Sequence, residues 1–185
     1  MLQNKFELSE KISCELEGIV AKDESLEPGI IRNGTVSVYS GDDSFNPPEH
    51  QKLTKLFADA IKAASNDKSS ICDRGYKLAL DYTYNQFHWD GNKRTGNLMM
   101  NGLFLSNGIL PCSVPSKRLK EYNTLLVDFY KHGKYKPVMD FYKDCHRGLY
   151  KDWKMTYPIQ KKQLSAVETL RLKREKQAQN KGLSR

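Results

Sequence analysis

The sequence predicts an all-α helical bundle with one small β-hairpin. Apolar residues recur every three or four positions in six segments, and a single short β-branched stretch contains an Asn-Gly pair. Strands and helices do not alternate, so a parallel sheet is not expected. A chain of 185 residues suits one domain. The predicted helices cover residues 6–22, 49–64, 71–85, 93–107, 116–131 and 137–150.

The first predicted helix has an apolar face formed by Leu8, Ile12, Leu16 and Ile19, which recur at helical spacing.

The predicted hairpin covers residues 30–38. Asn33 and Gly34 stand between β-branched runs, and both residues tolerate a positive φ, which is typical of a two-residue hairpin turn.

The overall composition is that of a globular protein, with 38% hydrophobic and 28% charged residues. No stretch of eighteen apolar residues exists, so no membrane span is expected. The first residues contain no apolar signal-peptide core, which predicts a cytoplasmic location, and secretion as an effector stays open. The four cysteines form no Cys-x-x-Cys pair, which favours reduced thiols over a zinc site.

Most of the net charge of +8 lies at the C-terminus. Residues 159–185 contain eight Lys or Arg against two Glu, a net charge of +6. The rest of the chain is close to neutral, so a domain-wide nucleic-acid surface is not implied. We predict a basic polar tail, 158–185, that binds an anionic partner such as nucleic acid, an anionic membrane or a receptor.

The chemistry is expected in residues 86–97, between the third and fourth predicted helices. Asp90-Gly91-Asn92 predicts a tight turn, and Lys93 starts a helix, so backbone N–H groups and positive charge would meet at one place. Asp90 is a suitable Mg²⁺ ligand beside phosphate oxygens. Trp89 is expected to pack against the bundle, with stacking on adenine as the alternative.

This segment resembles the motif of the Fic/Doc family, H-x-F-x-[DE]-G-N-[GK]-R-x-x-R, and matches it at residues 90–94. The resemblance covers about residues 5–150 and implies a Fic-like all-α bundle with a hairpin flap. It divides the chain into an N-terminal helix (1–22), a core with the flap (23–157) and the tail (158–185).

The resemblance also implies an activity, the transfer of AMP from ATP, with Mg²⁺, to a Ser, Thr or Tyr hydroxyl of a target protein. Asp90 would hold the metal. The residues at phosphate-binding positions are Gly91, Asn92, Lys93, Arg94 and Asn97. The flap residues that would dock the target are Ile31, Arg32, Thr35 and Val36.

Three positions depart from the family motif. Gln86 replaces the histidine that acts as general base, His88 replaces Phe, and Asn97 replaces the second Arg. An amide has no useful basicity near pH 7, and the loss of a positioned base removes about 10² to 10⁴ of rate. Two functions are therefore predicted: an adenylyltransferase of low or no activity, or an inactive module that binds a nucleotide or a protein. We expect His88 to be buried and bonded to backbone, and replacement of the missing base by His88 is the competing hypothesis.

Residues 13–18 fit the pattern [ST]-x-x-x-E-[GN] at Ser13, Glu17 and Gly18. In the Fic family this pattern marks an inhibitory helix, whose glutamate pairs with the second motif Arg and blocks the productive pose of the nucleotide. Here the expected partner is the uncharged Asn97, so Glu17 would pair with Arg94 or the inhibition would be vestigial. A solvated helix face is an equally good interpretation.

Overall fold

The structure is a computed structural model that describes residues 6–40, 43–66 and 68–158, except for the side chains of Ser40 and Asp43. Residues 159–185, which carry the predicted basic tail, lie outside the described residues.

The described residues form six α-helices and one two-stranded sheet, so the predicted fold class is confirmed. Short 3₁₀ turns precede α2 and α5. No helix in the described ranges is long and apolar enough to cross a membrane. The bounds are α1 Glu10–Val20, β1 Val38–Ser40, β2 Asp43–Phe45, α2 Leu53–Ser65, α3 Ile71–Asn85, α4 Asn92–Ser106, α5 Leu119–His132 and α6 Tyr135–Asp152.

Helices α3 and α4 form the central pair of the bundle. Their backbones approach closely at Gly96, where a Cβ would lie 2.6 Å from the Cβ of Tyr82 and 3.1 Å from the carbonyl oxygen of Ala79. A side chain at this position would therefore push the two helices apart. Close packing of this pair fixes the loop between them, which is the segment predicted to carry the chemistry.

The core has two parts, one on each side of this central pair. The first lies between α3, α4, α5 and α6 and is rich in aromatic residues, including Tyr76, Phe104, Phe129 and Tyr142. The second lies between α2, α3 and α4, and the apolar residues of α1 cover it from outside. Its buried members are Leu53, Phe57, Ala60, Ala64, Leu78, Tyr82, Phe87 and Met99.

The predicted position of the hairpin is wrong. The strands are β1 and β2, which pair antiparallel with Val38 opposite Phe45, so Asn33 and Gly34 do not form the hairpin turn. Gly34 is needed for a different reason, because a Cβ there would lie 2.5 Å from the Cη2 atom of Trp89. Glycine is required at position 34 because it leaves space for the indole ring, and not because the backbone there has a positive φ.

The predicted face of α1 is only partly correct. Leu8, Ile12 and Leu16 are half-buried against the second core, whereas Ile19 is 76% exposed. The fully buried positions of α1 are instead polar, Ser13 and Glu17. Burial of polar groups requires hydrogen-bond partners, so α1 must meet polar groups of the bundle.

A buried histidine in α6 forms hydrogen bonds with α3 and with the segment that follows α4. His146 is 0% exposed, and its Nε2–H donates to the carbonyl oxygen of Leu110 (2.7 Å). The Tyr76 hydroxyl donates to Nδ1 (2.7 Å) and accepts from the Tyr157 hydroxyl (2.9 Å). Burial lowers the pKa of His146, since the charged imidazolium would lose its hydration.

We predict opposite effects for alanine at two helical glycines. Gly96→Ala should lower the free energy of unfolding by about 1–3 kcal/mol, because the new methyl group meets rigid atoms of α3. Gly148→Ala in α6 should raise it by about 0.5–1 kcal/mol, since nothing lies within 4 Å of the added Cβ and alanine favours the helix. Urea unfolding measures both changes. Equal effects of the two substitutions would contradict the proposed closeness of α3 and α4.

We also predict acid destabilisation through His146. Because its pKa is lowered in the folded protein, the unfolded chain binds more protons below about pH 6.5, and stability falls as the pH falls from there. The slope from this residue is at most about 1.4 kcal/mol per pH unit. His146→Gln should flatten the stability profile between pH 7 and 5 in urea unfolding. Identical slopes for wild type and His146→Gln would contradict this assignment.

Candidate functional site

The 86–91 loop connects the end of α3 to the start of α4. Gln86 caps α3 in the left-handed region (φ 49°, ψ 65°), and its N–H donates to the carbonyl oxygen of Tyr82. Gly91 also has a positive φ, 66°, and directly precedes the first residue of α4, Asn92. The helix therefore begins one residue earlier than Lys93, the residue that the sequence predicted.

The side chain of Asn92 closes this loop. Its Oδ1 accepts from the backbone N–H of His88 (2.8 Å), and its Nδ2 donates to the carbonyl oxygen of His88 (2.8 Å) and to Oε1 of Gln86 (3.0 Å). Asn92 is only 3% exposed. Its side-chain amide is therefore occupied within the loop and is not available to a phosphate.

Gln86 stands at the position of the family histidine, and both polar atoms of its side chain form hydrogen bonds within the protein. Its Nε2 donates to the carbonyl oxygen of Thr83 (2.6 Å), while its Oε1 accepts from Asn92. The amide thus joins the end of α3 to the start of α4. It has no basic atom to offer a target hydroxyl.

His88 lies in a buried hydrogen-bond chain, which confirms the prediction of a buried histidine bonded to backbone. Its Nδ1 lies 2.6 Å from the carbonyl oxygen of Ile30 and must donate there, so we assign the proton to Nδ1. Its Nε2 then accepts from the hydroxyl of Ser13 (2.9 Å), which itself accepts from the hydroxyl of Tyr82 (2.6 Å).

The environment of His88 favours the neutral imidazole. The side chain is 0% exposed, and burial lowers its pKa. Since both ring nitrogens are bonded inside the protein, His88 has no free nitrogen for a target hydroxyl. The geometry therefore argues against His88 as a substitute base.

Glu17 forms no hydrogen bond or ion pair with its predicted partners, Asn97 and Arg94. The side chain is fully buried, Oε2 accepts from the backbone N–H of Gly29, and Oε1 has no hydrogen-bond partner. Gly18 packs against the same segment, since a Cβ there would lie 3.3 Å from the Cα of Gly29. Glu17 and Gly18 thus fix α1 to the segment that follows it.

The 90–94 turn lies beside the C-terminal end of α1. Asp90 is exposed, and one of its carboxylate oxygens accepts from the N–H of Gly91. Gly91 is buried, because a Cβ there would lie 3.0 Å from the Cβ of Ala21 and 3.4 Å from Cγ1 of Val20. No side chain caps the N-terminus of α4, and the Lys93 side chain is exposed. This arrangement of N–H groups and a cation can hold an anion.

Arg94 is turned toward α1. Its Nη1 donates to the carbonyl oxygen of Val20 (3.1 Å), its guanidinium pairs with the Glu24 carboxylate, and Nη2 lies 3.7 Å from Asp90. No local sequence pattern marks Glu24, because its contact with Arg94 joins residues 70 positions apart.

The side chains of Asn97 and Trp89 make contacts within the fold. Oδ1 of Asn97 accepts from the hydroxyl of Tyr142 (3.2 Å), which joins α4 to α6. The indole of Trp89 lies against Gly34, in the segment that precedes the hairpin, and its Nε1 is buried without a hydrogen-bond partner.

The predicted target-docking residues lie before the hairpin rather than in it. Ile31 and Val36 are half-buried, Thr35 is exposed, and Arg32 is 2% exposed. The Arg32 guanidinium donates to four backbone carbonyl groups, two of them at the end of α3. These acceptors are the oxygens of Gln86 (2.6 Å), Gly34 (2.5 Å), Pro48 (2.6 Å) and Asn85 (3.3 Å).

Arg32 is therefore a structural residue, and its predicted role in docking a target is wrong. A cation at a helix C-terminus satisfies the last carbonyl groups, and here it also holds the chain that leads into β1. Only the fold brings Arg32 to these carbonyls, so no sequence signal could have revealed it.

Two cavities lie away from the 86–97 segment. One, of about 410 Å³, lies between residues 113–118 and the second half of α6. The other, of about 230 Å³, lies between α2 and α3. Among the described residues, no group of three or more His, Cys, Asp or Glu could hold a metal ion by itself.

Comparisons with known proteins identify the fold. No family model matches the sequence, and no curated protein matches it. A Fic family protein from Desulfovibrio desulfuricans G20 is similar in structure, with a TM-score of 0.67 and 19% identity over 87% of this chain and 52% of its own. A Fic domain containing signaling protein from Bacteroides thetaiotaomicron VPI-5482 gives a TM-score of 0.64 and 14% identity, over 82% of this chain and 66% of its own.

A fragment of Fic-1 from C. elegans is also similar, with a TM-score of 0.66 and 18% identity over 80% of this chain and 43% of its own. The chain thus spans between 43% and 66% of the length of these structures. Sequence identities of 14–19% are evidence of a shared fold alone, and that fold covers 80–87% of this chain. The protein has the fold of a Fic domain.

Proposed function

We propose that this chain is a Fic-fold domain that binds a nucleotide at the 90–94 turn and transfers AMP to protein hydroxyls slowly or not at all. The proposal rests most directly on the side chain of Gln86, which is hydrogen-bonded to Thr83 and Asn92 and has no basic atom.

The expected chemistry explains why the rate should be low. When a target hydroxyl attacks the α-phosphate of ATP, its proton must leave, and pyrophosphate departs. A histidine at position 86 would take that proton, but an amide cannot, so the proton must pass to solvent. The uncharged Asn97 further removes a cation from the phosphate site, which weakens stabilisation of the developing charge.

The phosphates would bind at the start of α4. The helix N-terminus has no side-chain cap, and the exposed Lys93 lies in its first turn. Together these supply backbone donors, the positive end of the helix dipole and one exposed cation. Because Gly91 is covered by Val20 and Ala21, the ligand would approach from the Lys93 side of the turn.

The protein side chains at this site would bind Mg²⁺ only if a nucleotide supplied phosphate oxygens as further ligands. Asp90 offers one exposed carboxylate, and Mg²⁺ commonly binds through one or two carboxylates, phosphate oxygens and water. Asp90 would therefore hold the ion against the polyphosphate. When bound, Mg²⁺ would neutralise phosphate charge and orient the chain of phosphates.

We predict that the double variant Gln86→His with Asn97→Arg gains AMP transfer. The left-handed backbone at position 86 is one that histidine tolerates, so the new base can be built there. Incubation with α-labelled ATP and Mg²⁺ in a cell lysate should give at least about 10²-fold more protein labelling than wild type.

The matched control is Gln86→Ala with Asn97→Arg, which makes the same change at position 97 without adding a base. Its labelling should stay far below that of the histidine variant, because it has no base at position 86. Adding Asp90→Ala to the active variant should abolish labelling, and EDTA should do the same. Labelling by the wild type as fast as by the histidine variant would contradict the proposal, because chemistry would then not depend on position 86.

A further inference from the structure

The cavity of about 410 Å³ between residues 113–118 and the second half of α6, here named the α6 cleft, has an apolar part formed by Pro115, Cys145 and Leu149. Gly148 also lines the cleft, and no atom lies within 4 Å of the position that its Cβ would take. The missing side chain therefore leaves the cleft open down to the backbone of α6. Its volume lies in the range of ligand sites in proteins.

Charged side chains surround this apolar part. The lining contains four cations and two carboxylates, namely Lys117, Arg118, Arg147, Lys151, Asp144 and Asp152. The guanidinium of Arg118 pairs with Glu121 and Asp144, and it also lies over the ring of Phe141, 4.4 Å from the ring centre. Arg118 and Asp144 thus neutralise each other within the fold and are not free for a ligand.

The other three cations keep their charge for a ligand. Among the described residues, the side chains of Lys117 and Lys151 form no ion pair or hydrogen bond. Arg147 lies over the ring of Tyr157, 5.5 Å from the ring centre, and this contact leaves its charge uncompensated. Asp152 is the one carboxylate of the lining without a cationic partner in the described part of the chain. The α6 cleft therefore has an excess of positive charge.

Large apolar side chains are exposed next to the lining residues. Leu119 follows Arg118, and Trp153, which is 67% exposed, follows Asp152, with Met155 exposed two residues later. Protein interfaces are enriched in Trp, Met and Arg and combine an apolar centre with a polar rim. The surroundings of the α6 cleft therefore have the composition of a surface that binds a protein segment.

We propose that the α6 cleft binds a short acidic segment of a partner protein. An apolar side chain of that segment occupies the space beside Gly148, and its carboxylates pair with Lys117, Arg147 and Lys151. Charge complementarity determines the choice of partner, because an acidic segment is attracted to the three uncompensated cations.

Other occupants fit the charge or the shape of the cleft less well. The C-terminal residues 159–185 have a net charge of +6 and a second copy of the chain has +8, so both are repelled by a basic cleft. Nucleic acid phosphates would meet the carboxylates of Asp144 and Asp152. A flat anionic membrane would not reach Gly148 inside a recess.

Fluorescence anisotropy with the full chain and a labelled dodecapeptide tests the proposal. The peptide consists of Asp and Glu around two central Leu residues. We expect saturable binding that weakens as salt is added. A peptide with Ser in place of Leu should bind at least about 5-fold more weakly, since it buries no apolar side chain. A peptide with Asn and Gln in place of the acids should not bind.

Two variants locate the peptide in the cleft. Gly148→Leu fills the space without meeting other atoms at its Cβ, so it should abolish binding, while urea unfolding should show a stability no lower than that of the wild type. Lys117→Gln with Lys151→Gln removes two exposed cations and should weaken binding about 3- to 10-fold.

The matched control is Lys68→Gln with Lys134→Gln, which makes the same change in net charge at exposed lysines outside the cleft. It should bind the peptide within about 2-fold of the wild type. Equal weakening by the two double variants would mean a general charge effect and would overturn the proposal.

The remaining outcomes also contradict the proposal. Unchanged peptide binding by Gly148→Leu would place the peptide elsewhere, and loss of binding in Lys93→Gln would place it at the 90–94 turn. A wild-type dimer in sedimentation that Gly148→Leu dissociates would make a second copy the occupant. No binding of the acidic peptide by the wild type would overturn the proposal and leave the nucleotide site untouched, because AMP labelling tests that site separately.

Discussion

The structure around the site depends on the buried imidazole of His88. Its two nitrogens join the carbonyl oxygen of Ile30 to the hydroxyl of Ser13, and Tyr82 extends the chain into α3. One neutral side chain therefore holds together α1, α3, the 86–91 loop and the segment before the hairpin. Burial favours this neutral form, and each polar group of the chain is satisfied only while the others stay in place.

Hydrogen bonds within the fold also engage the residues at the family's motif positions. Residues that a transferase would use for chemistry are used here for structure: Gln86 and Asn92 close the loop, Asn97 joins α4 to α6, and Arg94 faces Glu24. Asp90, Lys93 and the uncapped start of α4 are exposed, and the Arg94 side chain is 48% exposed. We propose that these groups bind phosphates and a metal ion, whereas the Gln86 amide at the position of the family base cannot take up a proton.

The sequence predicted the helices well and the long-range contacts poorly. The bounds of α3 agree with the predicted 71–85, because apolar periodicity and a Ser70 cap are local signals. The hairpin was misplaced since Gly34 serves the packing of Trp89, and Ile19 is exposed because α1 turns polar residues inward. The contacts of Arg32 and Glu24 join residues far apart in the chain, so only the fold reveals them.

The most direct test of this account is the protonation of the His88 ring. Long-range ¹H–¹⁵N correlation NMR of protein with labelled histidines, assigned with a His88→Gln variant, reports which nitrogen carries the proton. The account predicts a neutral imidazole at pH 7 with its proton on Nδ1 and with Nε2 as acceptor. A proton on Nε2, or a charged ring, would contradict the hydrogen-bond chain from Tyr82 through Ser13 to His88, and with it the proposed hold on α1.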